Sequence, residues 1–426
     1  MRFIKGILAV PLLAIGLCAQ SQPPLTLNDA LRLAKANSAQ FHAAQSEAGL
    51  AKEDRVQARA TLLPGINYNN QFLYTQGNGT PSGRYVANNA VHEYVSQGNA
   101  HQVFSLQQFA DYRKASALEA LARAKTEVAS RGLVVTVVHN FYAVLVAQRK
   151  HANAQAATDE ASHFLDLSQK LEQGGEVAHS DVLKAQLQSN DRKRDLRESE
   201  LDLLKSRMDL AVLIFPTLKT DFDIADDLDT PPTLPELAAV QQAAAEKNPD
   251  LRAALAAVHA SHQEVLSARA GHLPALAIDY FYGIDATHFA TRTDGVRNLG
   301  YATAVTLNIP IFNWGATQSK VRQSLIREDQ AKLELSTAQR QVLANIQTMY
   351  NEAEAAASEL TTLRQSVDIA TESQRLIDLR YQAGESTVLE VVDAQNTLNA
   401  ARNAYADGCL RYRAALADLQ TLTGAL

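Results

Sequence analysis

The chain has 426 residues, 46% of them hydrophobic and 20% charged, with a formal net charge of −6, a balance that suits a folded protein of two domains or one elongated one. With no basic excess, the electrostatic footprint of a nucleic-acid binder is absent. Of the two cysteines only Cys409 lies beyond the first twenty residues, which excludes an intramolecular disulfide once a leader is removed.

In chain order, residues 1–19 read as an export signal. Arg2 and Lys5 precede the apolar run ILAVPLLAIGL, and a cleavage site follows at Ala19. Cys18 raises lipidation as an alternative, but Leu17 is large for the position before a lipidated cysteine. Past this segment there is no run of 18 apolar residues, so no membrane-spanning helix is expected. Passage through a bilayer would then require a closed β-barrel, because an open sheet leaves backbone groups unpaired in lipid.

Residues 20–215 and 236–426 read as two structural repeats, with 216–235 as the linker between them. ARATLLPGINY (58–68) matches ARAGHLPALAIDY (268–280), Asn37 faces Asn248, and QGGEVAHSDVLKAQ (173–186) aligns without a gap on QAGESTVLEVVDAQ (382–395), all at separations of 209–211 residues. Each repeat runs from an Ala-rich helix through two strands to a very long helix, a Gly-Glu phrase and a return helix. The first repeat predicts strands at about 65–76 and 91–104 and helices at about 105–173 and 176–215. The second predicts strands at about 275–285 and 298–312 and helices at about 316–383 and 386–424.

Three of the strand segments alternate cleanly. Ile66, Tyr68, Phe72 and Tyr74 oppose Asn67, Asn69, Gln71 and Thr75; Leu276, Ile278, Tyr280, Tyr282 and Ile284 share a face, as do Leu299, Tyr301, Val305 and Leu307. The segment VHEYVSQGNAHQVF alternates poorly. Such strands suit a tilted bilayer crossing, and equally a half-buried sheet in a soluble sandwich. Four strands cannot close a barrel alone, since the smallest have about eight, so a spanning barrel requires several copies. GNGTPSGRYVANN and DATHFATRTDG would be its outer loops.

From Ala316 to Ala383 there is neither glycine nor proline, and the counterpart from Ser105 to Gln173 is broken only by Gly132. A continuous helix of that length spans about 100 Å and needs a coiled-coil partner. The return helix supplies a seam at every seventh residue, Val391, Leu398, Tyr405, Tyr412 and Leu419, aligned with Val182, Ser189, Leu196, Leu203 and Leu210. Gly175 and Gly384 are placed to end the long helices in left-handed geometry, with Ser180 or Ser386 to cap the next ones.

This duplicated order, together with YQAGESTVLEVVDAQNTL and NIPIFNWGATQSKVRQS, resembles the TolC family of outer-membrane efflux proteins over nearly all of the chain past the signal. SLQQFADYRKA departs from it, lacking the proline and glycine of the family's strand-to-helix turn. The resemblance implies a mainly α fold with a small membrane β-barrel. In it a homotrimer with four strands per subunit would form a twelve-stranded barrel above a periplasmic α-barrel of long antiparallel coiled-coil helices. It further implies an exit duct of a tripartite efflux or type I secretion system, touching outer-membrane lipid, a periplasmic adaptor (membrane fusion) protein and an inner-membrane pump. A periplasmic coiled-coil scaffold or adaptor with a small soluble sheet is the competing reading.

By the same resemblance Glu390 and Asp393, three apart on one helix face, ring the periplasmic entrance. Repeated around an axis, their carboxylates would favour cations; an ordinary solvated helix face is the alternative. Asp181 and Tyr381 match positions that link helices at the closed tip, a Tyr hydroxyl donating to a carboxylate, although Ser386 stands where a family member has arginine. Gly175, Glu176, Gly384 and Glu385 would be the adaptor-facing tips, and Phe312 with Trp314 would sit at the membrane interface. His259 and His262 lack a third ligand, and there is no phosphate loop, Gly-x-Ser-x-Gly motif or acid pair in a catalytic setting. Neither an enzyme nor a cofactor or metal is expected.

Overall fold

The computed structural model describes residues 24–74, 92–230 and 232–424. The export signal with Cys18, Thr75, and the GNGTPSGRYVANN loop lie outside them. The elements in chain order are α1 (Leu27–Asn37), α2 (Ala39–Ala60), β1 (Gly65–Tyr74), β2 (His92–Ser105), α3 (Leu106–Gln173) and α4 (His179–Ile214), then α5 (Leu237–Lys247), α6 (Pro249–Ala270), β3 (Ala275–Ala286), β4 (Arg292–Thr293), β5 (Val296–Arg297), β6 (Leu299–Asn308), α7 (Ala316–Gln382) and α8 (Val388–Thr423). Helices α1 to α4 have 11, 22, 68 and 36 residues, and α5 to α8 have 11, 22, 67 and 36, so the duplication is written into element lengths.

The sheet has the order β1-β2-β3-β6 and is antiparallel throughout. Cross-strand partners share a face, so the register decides the chemistry of each side. Tyr68 faces Gly98, which faces Tyr282, which faces Tyr301; Ile66, Ala100, Tyr280 and Thr303 form the next row, and Phe104, Leu276 and Leu307 another. The opposite face carries Asn67, Asn99 and Phe281, Asn69 and Gln97, and His101 with Asp279. The weak alternation of β2 thereby has a cause: between Tyr94 and Phe104 its aromatic face presents the small residues Ser96, Gly98 and Ala100, Gly98 lying between Tyr68 of β1 and Tyr282 of β3. The Tyr68 hydroxyl lies 2.8 Å from Ser96 Oγ.

Strand β6 ends at Asn308, short of the expected 312, because Pro310 has no N–H to give a ladder. The loop before it holds the small β4–β5 hairpin, turned at Asp294 (φ 51°) and Gly295 (φ 82°), the left-handed pair that a two-residue turn requires. The two strand-to-helix junctions differ. Helix α7 starts after a left-handed Trp314–Gly315 corner, whereas α3 follows β2 directly, with Ser105 as N-cap accepting from the Gln108 amide at 3.1 Å. The cap does there what proline and glycine do in the second repeat.

Helix α3 packs against α2, α4, α6 and α8, and α7 against α6 and α8. One stretch of α3 is apolar enough to cross a membrane by composition. Its Val134, Val137, Phe141 and Leu145 are instead the main core, packed with Ala30, Ala34, Leu210, Ile214 and Leu228. The linker is strapped over this core by Arg149, whose Nη2 lies 2.9 Å from Asp226 and 2.7 Å from Asp229, and by Tyr412, whose hydroxyl donates to Pro232 O at 2.8 Å. In the seam Val391, Leu398, Tyr412 and Leu419 are buried and Tyr405 half-buried; Val182, Ser189 and Leu210 are buried in the first repeat. Helices α7 and α8 approach so closely that a methyl group on Gly408 would sit 2.6 Å from Leu363 Cδ1.

The aligned asparagines are equivalent in space too. Asn37 Nδ2 donates to Ile214 O at 2.8 Å, and Asn248 Nδ2 to Leu422 O at 3.1 Å, each holding the last turn of a return helix. Asn248 is 1% exposed and also accepts from Leu251 N at 2.9 Å, capping α6. Asn248→Ala strips both bonds and strands a buried carbonyl, a cost of about 1–3 kcal/mol. A lower midpoint of thermal unfolding, followed by far-UV circular dichroism, is the expected readout, with a smaller drop for the less buried Asn37→Ala.

Candidate functional site

The two Gly-Glu phrases form bends of one design. Gly175 N donates to Glu172 O at 2.9 Å and Glu176 N to Leu171 O at 2.9 Å; Gly384 N donates to Tyr381 O at 3.0 Å and Glu385 N to Arg380 O at 2.9 Å. This is the paired closure of a Schellman motif, which requires a left-handed residue at the glycine, and Gly175 and Gly384 have φ of 80° and 74°. The glutamates follow because their backbone N–H completes the motif while their side chains stay exposed.

The restarts after the bends differ, and neither uses the serine expected from the sequence. Helix α8 is capped by Thr387, not Ser386: Thr387 Oγ1 accepts from Glu390 N at 3.3 Å, and the Glu390 carboxylate accepts from Thr387 N at 3.4 Å, a reciprocal capping box. Ser386 instead donates its hydroxyl to the Glu390 carboxylate. Helix α4 begins after Ala178, which offers no side-chain cap; Ser180 lies inside the first turn. What ties that bend is His179 Nδ1, 2.7 Å from Glu172 Oε1. At the second bend Arg380 donates to Glu385 O at 3.1 Å.

Glu390 and Asp393 are both exposed at the start of α8. The Ser386 hydroxyl, then the Thr387 N–H, hold the Glu390 carboxyl below the ordinary glutamate range. Its charge therefore persists to lower pH than usual, and the cap it makes is lost only as pH falls through that lowered value.

The structure does not bring Asp181 and Tyr381 together. Asp181 Oδ1 is 3.1 Å from Lys184 Nζ on its own helix. Tyr381 is buried, its hydroxyl 3.1 Å from Ser168 Oγ and its ring 5.0 Å from that of Phe164. With Ala185, Val388 and Val391 these side chains form a small apolar cluster beneath the bends. Tyr381 thus joins the α7–α8 hairpin to the α3–α4 hairpin through α3 rather than through the start of α4. Sequence reasoning missed Ser168 because it stands 213 residues from Tyr381 and belongs to no motif. His262 pairs with Glu328 at 3.3 Å, and among the described residues no group of histidine, cysteine and acid side chains is arranged to hold a metal ion.

Residues 240–425 match the protein family described as outer membrane efflux protein. Over 421 residues the chain is 26% identical to the alkaline protease secretion protein AprF of Pseudomonas aeruginosa, covering 94% of this chain and 85% of that one. It is 27% identical to the pyoverdine export outer membrane protein OpmQ of the same species (89% and 80% covered) and 22% identical to the outer membrane protein TolC of Escherichia coli (87% and 76%). Among solved structures, the Campylobacter jejuni CmeC outer membrane channel superimposes with a TM-score of 0.82 at 15% identity, over all of this chain and 94% of that one. The open-state MtrE outer membrane channel of Neisseria gonorrhoeae gives 0.79 at 20% identity, over 93% and 88%.

Proposed function

We propose that the chain, which matches the outer membrane efflux family over residues 240–425, is a member of the TolC family, and that three copies close into the exit duct of a tripartite efflux or type I secretion system. The observation that carries this is the sheet. Strands β1 and β6 are its two edges, and its aromatic face is bare: Ile66, Tyr301 and Val305 are 81%, 75% and 64% exposed. A strand edge and an apolar face of this size are tolerated in lipid only if neighbouring copies pair the edges. Three sheets of four strands make a barrel of about twelve, polar inside and aromatic outside. Below it, Leu187, Leu201 and Val212 on α4 and Ile326, Leu333 and Ile369 on α7 are more than half exposed, which suits helix faces that meet neighbouring copies. Phe312 and Trp314, with rings 5.0 Å apart at the exposed junction of β6 and α7, suit the periplasmic-side interface of the outer membrane.

In this reading the bends at Gly175–Glu176 and Gly384–Glu385 form the periplasmic tip that meets the adaptor and, through it, an inner-membrane pump. Glu390 and Asp393 ring the entrance with negative charge, and Tyr381 against Ser168 is the joint between hairpins, with Asp181 at the neighbouring helix start. A competing scaffold role would leave both sheet edges and the aromatic face uncovered.

The test is extraction from outer membranes. The protein is expected to run as a species of three times the chain mass that collapses to the monomer on boiling, and to give stepwise conductance in planar bilayers. A monomer soluble without detergent and silent in bilayers would overturn the reading.

A further inference from the structure

Above the bends lies a half-open cavity of about 360 Å³ lined by α3, α7 and α8. Its polar lining is dominated by acceptors. Asp159 and Glu160 come from α3, Asp378 and Gln374 from α7, and Gln395 from α8. Gln374 donates to Glu160 Oε2 at 3.3 Å, which leaves its own Oε1 without a hydrogen-bond partner, and Gln395 Oε1 has none either. Both glutamines are 7% exposed. A buried amide oxygen left unpaired costs about 1–3 kcal/mol, so two of them lining one cavity mark a place where donors belong.

The charges agree. Arg402 Nη1, 3.6 Å from Glu160 Oε1, is the basic group that the ion pairs bring to this wall, and His163 also lines the cavity. One guanidinium against three carboxylates leaves a negative excess. Burial, reinforced by the neighbouring Glu160, raises the pKa of Asp378 above the ordinary aspartate range, against the opposing pull of a hydrogen bond from Gln374 and the charge of His163. Phe164 and Tyr381 supply aromatic surface to the same cavity.

We propose that this cavity is a binding site for a small organic cation bearing ammonium groups. The ammonium N–H groups would meet the free oxygens of Gln374 and Gln395 and the carboxylate of Asp378, and the hydrocarbon would lie against Phe164 and Tyr381, whose ring faces also attract cations. A bare divalent ion fits less well, since the carboxylates are not gathered into a ligand shell. A ligand held here touches α3 of one hairpin and α7 and α8 of the other.

Titration calorimetry of 1,5-diaminopentane into the detergent-solubilised protein tests this. Saturable binding of one molecule per chain is expected, weakened about tenfold or more by Asp378→Asn and by Gln395→Leu. Both substitutions preserve shape, and circular dichroism of each variant confirms that the helices remain. Absent binding, binding unchanged in both variants, or displacement by equimolar magnesium would overturn the proposal. So would binding lost in Glu390→Gln/Asp393→Asn but kept in Asp378→Asn, which would put the cation at the entrance. None of these outcomes touches the duct reading, which rests on the sheet.

Discussion

Arginine in place of Tyr280 is expected to abolish assembly in the outer membrane, while arginine in place of Asn69 leaves it intact. Tyr280 sits in the middle of β3, opposite Ala100 and Thr303 on the aromatic face, its ring stacked 6.2 Å from Tyr301. A charged side chain on the lipid face near mid-bilayer costs about 2–4 kcal/mol, and a trimer would incur it three times, comparable to the whole stability of a typical domain. Asn69 faces Gln97 on the polar side, where an added charge stays in water. Membrane fractionation and the boiling-sensitive oligomer band read the outcome. If the two variants assemble equally, the sheet does not face lipid as described.

The second large effect concerns the entrance. Glu390→Gln with Asp393→Asn should lower the ratio of cation to anion permeability in planar bilayers by about threefold or more, because the ring of fixed negative charge proposed at the entrance would disappear. The choice of substitution matters. Glutamine at this position still completes the capping box with Thr387, so the start of α8 survives and charge alone is removed. Alanine would remove the cap as well and confuse the two roles. Because the Glu390 carboxyl is held below the ordinary glutamate range, its share of the wild-type selectivity should survive mild acid and vanish only below that range. Unchanged selectivity in the double variant would remove these acids from the pore mouth.

Much of this architecture could be read from residue spacing. The seven-residue seam of α8 was legible because Val391, Leu398, Tyr412 and Leu419 are large, and all are buried as the repeat implies. The bends were legible because left-handed geometry all but demands glycine, at Gly175 and Gly384. Strand β2 was obscure because the middle of its aromatic face is small, at Ser96, Gly98 and Ala100, and the bulk there comes from residues such as Tyr68 and Tyr282 on other strands. The caps were misplaced because serine, threonine and a bare alanine compete within a few residues, and only the backbone decides which hydroxyl faces the free N–H groups. The Tyr381–Ser168 joint and the glutamine-lined cavity were invisible, since their members meet only after the hairpins pack.

The two bends close alike but reopen differently, one into a helix with a reciprocal cap and one into a helix without. The first-turn amides of α4 should therefore exchange with deuterium sooner than those of α8. In the proposed trimer that would set alternating stiff and frayed points along the rim, so its compliance would have three periods rather than six. A docking partner would meet two kinds of ground there, one that holds its shape and one that moulds to it.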